Sequence, residues 1–188
     1  MKRALLLSFA AIALLTALGF VIPGVWWRMA AVYALMIPAS LTAKVEWRGL
    51  WRPRLWHFPA GLGAAVLLYG AGWVVNRLLP GQVAPLLAWK SQVPTPLLAP
   101  LLVFIVVGEE ILWRNAVTMS VPGWKGVAVG AIVFAVAHVP LGIPLLVGAA
   151  FGAGLVWSAM VAATKSAWPA LVCHLAWDGA VLFLLPYA

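Results

Sequence analysis

The sequence predicts an all-α membrane protein, a polytopic bundle of about seven transmembrane helices. Three observations carry that reading. Of 188 residues, 65% are hydrophobic, and only twelve Lys and Arg and four Asp and Glu are present. With a mean hydropathy of +1.07, this is not the composition of a soluble globule. Apolar stretches of about 20 residues recur, each long enough to cross a hydrocarbon core of ~30 Å. Most of the twelve Trp residues fall near the ends of those stretches, as an aromatic belt at the membrane surface requires.

The elements follow in order. Met1-Lys2-Arg3 leads into an apolar run, Ala4–Ile22. It has the flanks of a signal peptide but is long for one and lacks a clear small-x-small cleavage site, so it reads as the first membrane helix. Val25–Ala43, Phe58–Leu79, Pro96–Met119, Lys125–Val139, Pro144–Ala163 and Ala167–Tyr187 supply six more. Pro23-Gly24, Pro80-Gly81 and Pro122-Gly123 punctuate the connections, and Pro140, Gly142 and Pro144 mark a tight turn. Lys44–His57 mixes Trp47, Trp51 and Trp56 with four basic residues and Glu46. It reads as a stretch lying on the membrane surface and broken at Pro53, with His57 interfacial. A docking site for the juxtamembrane region of a substrate is the functional alternative. Gly126-x-x-x-Gly130 and Gly148-x-x-x-Gly152 are patterns that let helix backbones approach closely, with packing inside one molecule the simplest use and dimerisation weakly signalled. Residues 1–95 thus form N-terminal helices with a cytoplasmic loop, and 96–188 a helical core, within one membrane domain.

Charge orients the bundle. With the N-terminus in the cytoplasm, inside segments carry Lys2, Arg3, Lys44, Arg48, Arg52, Arg54, Arg114, Lys125 and Lys165, against Arg28, Arg77 and Lys90 outside. The net charge of +8 is scattered between apolar runs, where it meets lipid head groups, so nucleic acid is excluded as a partner. A single cysteine, Cys173, precludes an intrachain disulfide and a Cys zinc cluster, and reads as a small buried hydrophobe. Small size without soluble appendages points to a prokaryotic inner-membrane protein.

Three of the four acids sit in two short motifs inside apolar sequence. Glu109-Glu110-Ile111-Leu112-Trp113-Arg114 is one, His174-Leu175-Ala176-Trp177-Asp178 the other, and Phe134-Ala135-Val136-Ala137-His138 lies between them. Ionisable groups are expensive in a bilayer, so each is a functional-site candidate by default. At about 1.5 Å of rise per residue, Glu109, His138, His174 and Asp178 reach depths of roughly 10–20 Å from the cytoplasmic ends of their helices. Glu110 and Arg114 are i, i+4 and share a face, as do His174 and Asp178. Glu109 is offset by about 100°. One glutamate can therefore pair with Arg114 while the other faces a cavity. A polar cluster that merely glued helices would gain little, around 0.6 kcal/mol per pair.

These motifs, in this order on successive helices, resemble the CPBP superfamily, the CAAX-protease and bacteriocin-processing (Abi-type) membrane proteins, which include the Ras-converting CAAX endopeptidases. The family pattern is Glu-Glu-x-x-x-Arg, then Phe-x-x-x-His, then His-x-x-x-Asn or a similar residue. The resemblance covers about residues 96–187. It implies glutamic-type intramembrane proteolysis without a covalent intermediate, an organic cofactor or a bound metal. Glu109 would be the base that activates water, and His138 would hold that water. Arg114 would fix Glu110. His174 and Asp178 would bind the scissile carbonyl or the oxyanion. A carboxylate in low-dielectric surroundings is a competent base, and histidine donors stabilise developing negative charge. Asp178 departs from the family's commoner Asn; ionised, it cannot donate to an oxyanion, but it can orient His174. The implied substrate is a membrane-anchored protein or peptide, such as a sorting tag, a leader or a CAAX-like tail, cut near the cytoplasmic half of the bilayer.

Two other readings stay open. Glu109, His138, His174 and Asp178 have the ligand chemistry of a metal-dependent membrane protease, although no His-Glu-x-x-His helix occurs. Buried Glu, His and Asp also build proton relays, as in a carrier, and a non-catalytic immunity protein would retain such motifs. Serine, aspartyl and thiol mechanisms fit poorly. No Gly-x-Ser-x-Gly elbow occurs, Asp178 is the single Asp, and Cys173 points away from its neighbour His174.

Overall fold

The structure is a computed structural model that describes residues 2–184, and no strand occurs among them. The helices are α1 (Lys2–Gly19), α2 (Val25–Leu41), α3 (Trp47–Leu50), α4 (His57–Leu78), α5 (Ala84–Leu87), α6 (Thr95–Glu109), α7 (Trp124–His138), α8 (Pro144–Thr164) and α9 (Trp168–Gly179). Past Glu109 the chain does not stay α-helical. It widens into a π-helix over Glu110–Val117 and tightens to a 3-10 turn at Thr118–Ser120. A second π-helical stretch, Ala180–Leu184, extends α9. The expected end of that last helix, at Tyr187, lies outside the described residues.

By length and composition, five helices can cross a membrane: Lys2–Gly19, His57–Leu78, Thr95–Ser120, Trp124–Leu141 and Pro144–Thr164. Val25–Leu41 and Trp168–Leu184 are shorter and apolar, and about 17 residues is the lower limit for a span. The chain is thus an integral membrane protein built as a polytopic helical bundle. Prolines sit in the first turns of α5, α6, α8 and α9, where a missing N–H costs nothing. The turn from α7 to α8 is closed by Gly142 at φ 76°, a conformation that glycine adopts without strain.

Helix α7 packs along α8, α2 along α6, and α4 along α9. Two glycines set the last two contacts. A Cβ on Gly108 would lie 2.7 Å from the Tyr33 side chain, and one on Gly61 2.7 Å from the Pro169 carbonyl oxygen. The two small-residue patterns do different jobs. Gly126 and Gly130 seat α7 against Thr118 and Val121, since a Cβ on Gly130 would fall on the Thr118 hydroxyl. Gly148 and Gly152 were expected to do the same, but a Cβ on either meets nothing within 4 Å. That face of α8 lines a cavity instead.

The Lys44–His57 stretch is mostly exposed, as expected of a surface segment, but is anchored to the bundle at Leu50, Trp51 and His57. Leu50 is buried, and its carbonyl accepts the Ala167 N–H at 2.8 Å. Trp168 Nε1–H donates to the Trp51 carbonyl at 2.9 Å. His57, expected at the interface, is 1% exposed: Nδ1 accepts the Arg54 backbone N–H at 3.1 Å and lies 3.4 Å from Ser166 Oγ. The short α8–α9 turn packs on Leu50 and His57 and takes these two side chains out of solvent, while Arg52–Trp56 stay exposed.

Candidate active site

The π-helical break begins at the Glu-Glu pair, so adjacent carboxylates meet different partners. Glu110, fully buried, faces inward. Its Oε1 accepts from His174 Nδ1 at 3.0 Å and lies 3.7 Å from Arg114 Nε. Glu109, 3% exposed, turns toward a cavity, with Oε2 3.4 Å from His174 Nε2. A π-helical turn inside an α-helix is rare and concentrates at functional sites.

Arg114 is fully buried and held by charge and by ring faces. Its guanidinium carbon lies 4.0 Å from the Phe134 ring centroid and 5.1 Å from that of Trp157. Cations over desolvated aromatic faces gain about 2 kcal/mol each. Phe134, on α7, thereby serves two neighbours, because the His138 ring stands edge-on to it at 4.6 Å.

Both histidines carry a hydrogen on Nδ1 and differ in what surrounds Nε2. His138 Nδ1 donates to the Phe134 carbonyl at 2.8 Å, which leaves Nε2 as an acceptor. His174 Nδ1 donates to Glu110, and its Nε2 lies between Glu109 Oε2 and Asp178 Oδ2, at 3.4 and 3.5 Å. Two carboxylate oxygens cannot both face a bare nitrogen lone pair. A proton therefore resides at this junction, on the ring or on a carboxyl. Asp178, with its side chain 26% exposed, lines the cavity.

Sequence reasoning missed three residues. Tyr33, on α2, accepts the Trp113 Nε1–H at 3.0 Å and donates to Glu109 Oε1 at 3.1 Å. Trp113 sits inside the Glu109–Arg114 motif, a position that was visible but unused. Trp157, on α8, stacks on His174 with ring centroids 3.6 Å apart and planes 19° apart, and its Nε1–H points at Cys173 Sγ, 3.2 Å away. Tyr33 and Trp157 stand outside the three motifs, and nothing in their local sequence marks them.

The cavity holds about 610 Å³, and its walls are apolar apart from Glu109, His138, His174 and Asp178. Leu68, Ala71, Gly72 and Val75 of α4 face Gly148, Ala149 and Gly152 of α8 across it. It reaches the end of the bundle that holds Trp26, Trp89 and Leu141. That is the end opposite the basic Lys44–Arg54 loop, whereas the motifs alone pointed to the cytoplasmic half. The reason is packing: from Leu112 to Thr118 every side chain is buried, which packs the other half of the bundle more closely.

Among the described residues, no three His, Cys, Asp or Glu side chains form a group suited to a metal ion. What the arrangement offers is a carboxylate and an imidazole acceptor facing one apolar chamber, backed by a second, neutralised carboxylate. Residues 90–180 match the family described as Type II CAAX prenyl endopeptidase Rce1-like. No curated protein and no solved structure matches the chain.

Proposed function

We propose, from the premise that residues 90–180 belong to the CPBP superfamily of CAAX proteases, that this chain is a glutamic intramembrane endopeptidase cutting a membrane-anchored protein or peptide. The observation that carries the reading is the unequal treatment of two adjacent carboxylates. Glu110 is neutralised by Arg114 and His174, while Glu109 faces the cavity.

The chemistry follows. A water between Glu109 and His138 attacks the scissile carbonyl carbon. Its proton passes to Glu109, the new C–O bond forms, and the carbonyl electron pair moves to oxygen. The His138 Nε2 lone pair accepts the water's other hydrogen and orients it. The proton at the junction of His174, Glu109 and Asp178 is available to the oxyanion. Collapse then breaks the C–N bond, and the proton held by Glu109 goes to the leaving amine. Arg114 stays out of contact with substrate and fixes Glu110, which in turn holds His174 in place.

Parallel Glu109→Gln and Glu110→Gln proteins, reconstituted in lipid nanodiscs with a membrane-anchored substrate, test this. Glu109→Gln is expected to lose at least 10²-fold in rate, the usual contribution of a general base, with its melting curve unchanged. Glu110→Gln is expected to lower the melting temperature. Retained cleavage in Glu109→Gln would overturn the assignment.

A further inference from the structure

The cavity has a direction. Its wall residues lie in the first turns of α2 (Val25, Trp26), the second half of α4 (Leu68–Val75), the α4–α6 connection (Val83, Leu86, Trp89), the end of α7 with its turn (His138, Leu141) and the first half of α8. All of these belong to one end of the bundle. The opposite, clasped end is more closely packed, and the smaller cavity there, lined by Arg3, Ala43, Lys44, Met119 and Ser120, touches none of the site residues. There the Leu50–Trp51 backbone is hydrogen-bonded to Ser166, Ala167 and Trp168, and Trp113–Thr118 is buried throughout.

Charge separates the same two ends. The clasped end carries Lys2, Arg3, Lys44, Arg48, Arg52, Arg54, Lys125 and Lys165, with Glu46 as its one acid. The cavity end carries Arg28, Arg77 and Lys90. Short loops rich in Lys and Arg are retained in the cytoplasm. Eight cations against three, all in or beside short connections, place the clasped end inside the cell.

We propose that the cavity therefore opens toward the extracytoplasmic face, and that the substrate is a membrane-anchored polypeptide whose cut bond is presented from that side. The substrate part of this rests on the cavity being the catalytic site. The chamber matches such a substrate. Its α4 and α8 walls include exposed apolar positions, Ala71, Val75, Gly148 and Gly152, through which a lipid-embedded segment reaches Glu109 without leaving the bilayer.

Single cysteines decide the direction. Gln82 is exposed beside Val83 at the cavity end, and Arg48 is exposed in α3 at the clasped end. Cys173 is buried, so the unsubstituted protein is the unlabelled control. Intact cells making Gln82→Cys or Arg48→Cys are treated with a membrane-impermeant maleimide, before and after permeabilisation. Expected is full labelling of Gln82→Cys in intact cells, and of Arg48→Cys only after permeabilisation. The reverse pattern, or labelling of both from one side, overturns the proposal. Labelling needs no cleavage, so the same pair built on Glu109→Gln reports direction whatever becomes of the protease reading.

Discussion

Tyr33→Phe removes one oxygen atom from the centre of the site and nothing else. That oxygen closes a chain from Trp113 through Tyr33 to Glu109, with links of 3.0 and 3.1 Å. Its loss leaves the Trp113 N–H unpartnered in a side chain with no exposure, at about 1–3 kcal/mol. It also deletes a bond to a carboxylate, of about 1.5–3 kcal/mol. The two bonds share one oxygen, so the losses overlap, and a destabilisation of about 2–4 kcal/mol is expected. Glu109 then loses the contact that fixes one of its oxygens. Misplacing a catalytic group by about 1 Å costs up to ~10²-fold, so a fall of about 10- to 100-fold in kcat with little change in KM is expected. Thermal melting in detergent and cleavage in nanodiscs read the two effects. A double mutant with Trp113→Phe should be less destabilised than the sum of the singles, because the orphaned donor is gone. Wild-type stability and rate in Tyr33→Phe would refute the argument.

Other outcomes follow from the same contacts. Arg114→Ala should destabilise by about 3–5 kcal/mol, because Glu110 stays buried without its counter-ion; adding Glu110→Gln should restore part of the loss, and an unchanged melt would contradict the buried pair. Gly130→Ala should cost about 1–3 kcal/mol through overlap with Thr118, whereas Gly148→Ala, facing open space, should stabilise by up to about 1 kcal/mol through helix propensity. Equal effects at both glycines, read by melting, would erase the distinction between a packing face and a cavity wall.

The bundle was legible because a bilayer forces long apolar runs, and their punctuation by Pro and Gly is plain in the sequence. Within the described residues, and with Thr95–Ser120 taken as one span, the expected helix bounds and the observed ones differ by a few residues; the expected end at Tyr187 lies outside them. Glu109, Glu110, Arg114, His138, His174 and Asp178 stood out because charge is rare in such a chain; in the structure Glu109, His138, His174 and Asp178 line one chamber, and Glu110 and Arg114 are buried behind it. The π-helical turn at Glu110 was not legible, since no residue in Glu110–Val117 marks it. Neither were Tyr33 and Trp157, whose roles depend on which helices become neighbours. Gly148 and Gly152 misled because the same spacing serves a close contact or an open wall, and only the partner surface tells them apart. His57 was read from its place in a basic, Trp-rich loop, but the turn that buries it comes more than a hundred residues later.

The central claim is that Glu109 drives peptide hydrolysis in the membrane. Its most direct test compares the native N- and C-termini of membrane and secreted proteins, by mass spectrometry, in cells making the wild-type chain or Glu109→Gln. The account predicts termini present with the wild type and absent with the variant, at equal expression of both. Identical termini in the two strains, in cells that hold the natural substrate, would contradict it and favour a carrier or immunity role for the same buried groups.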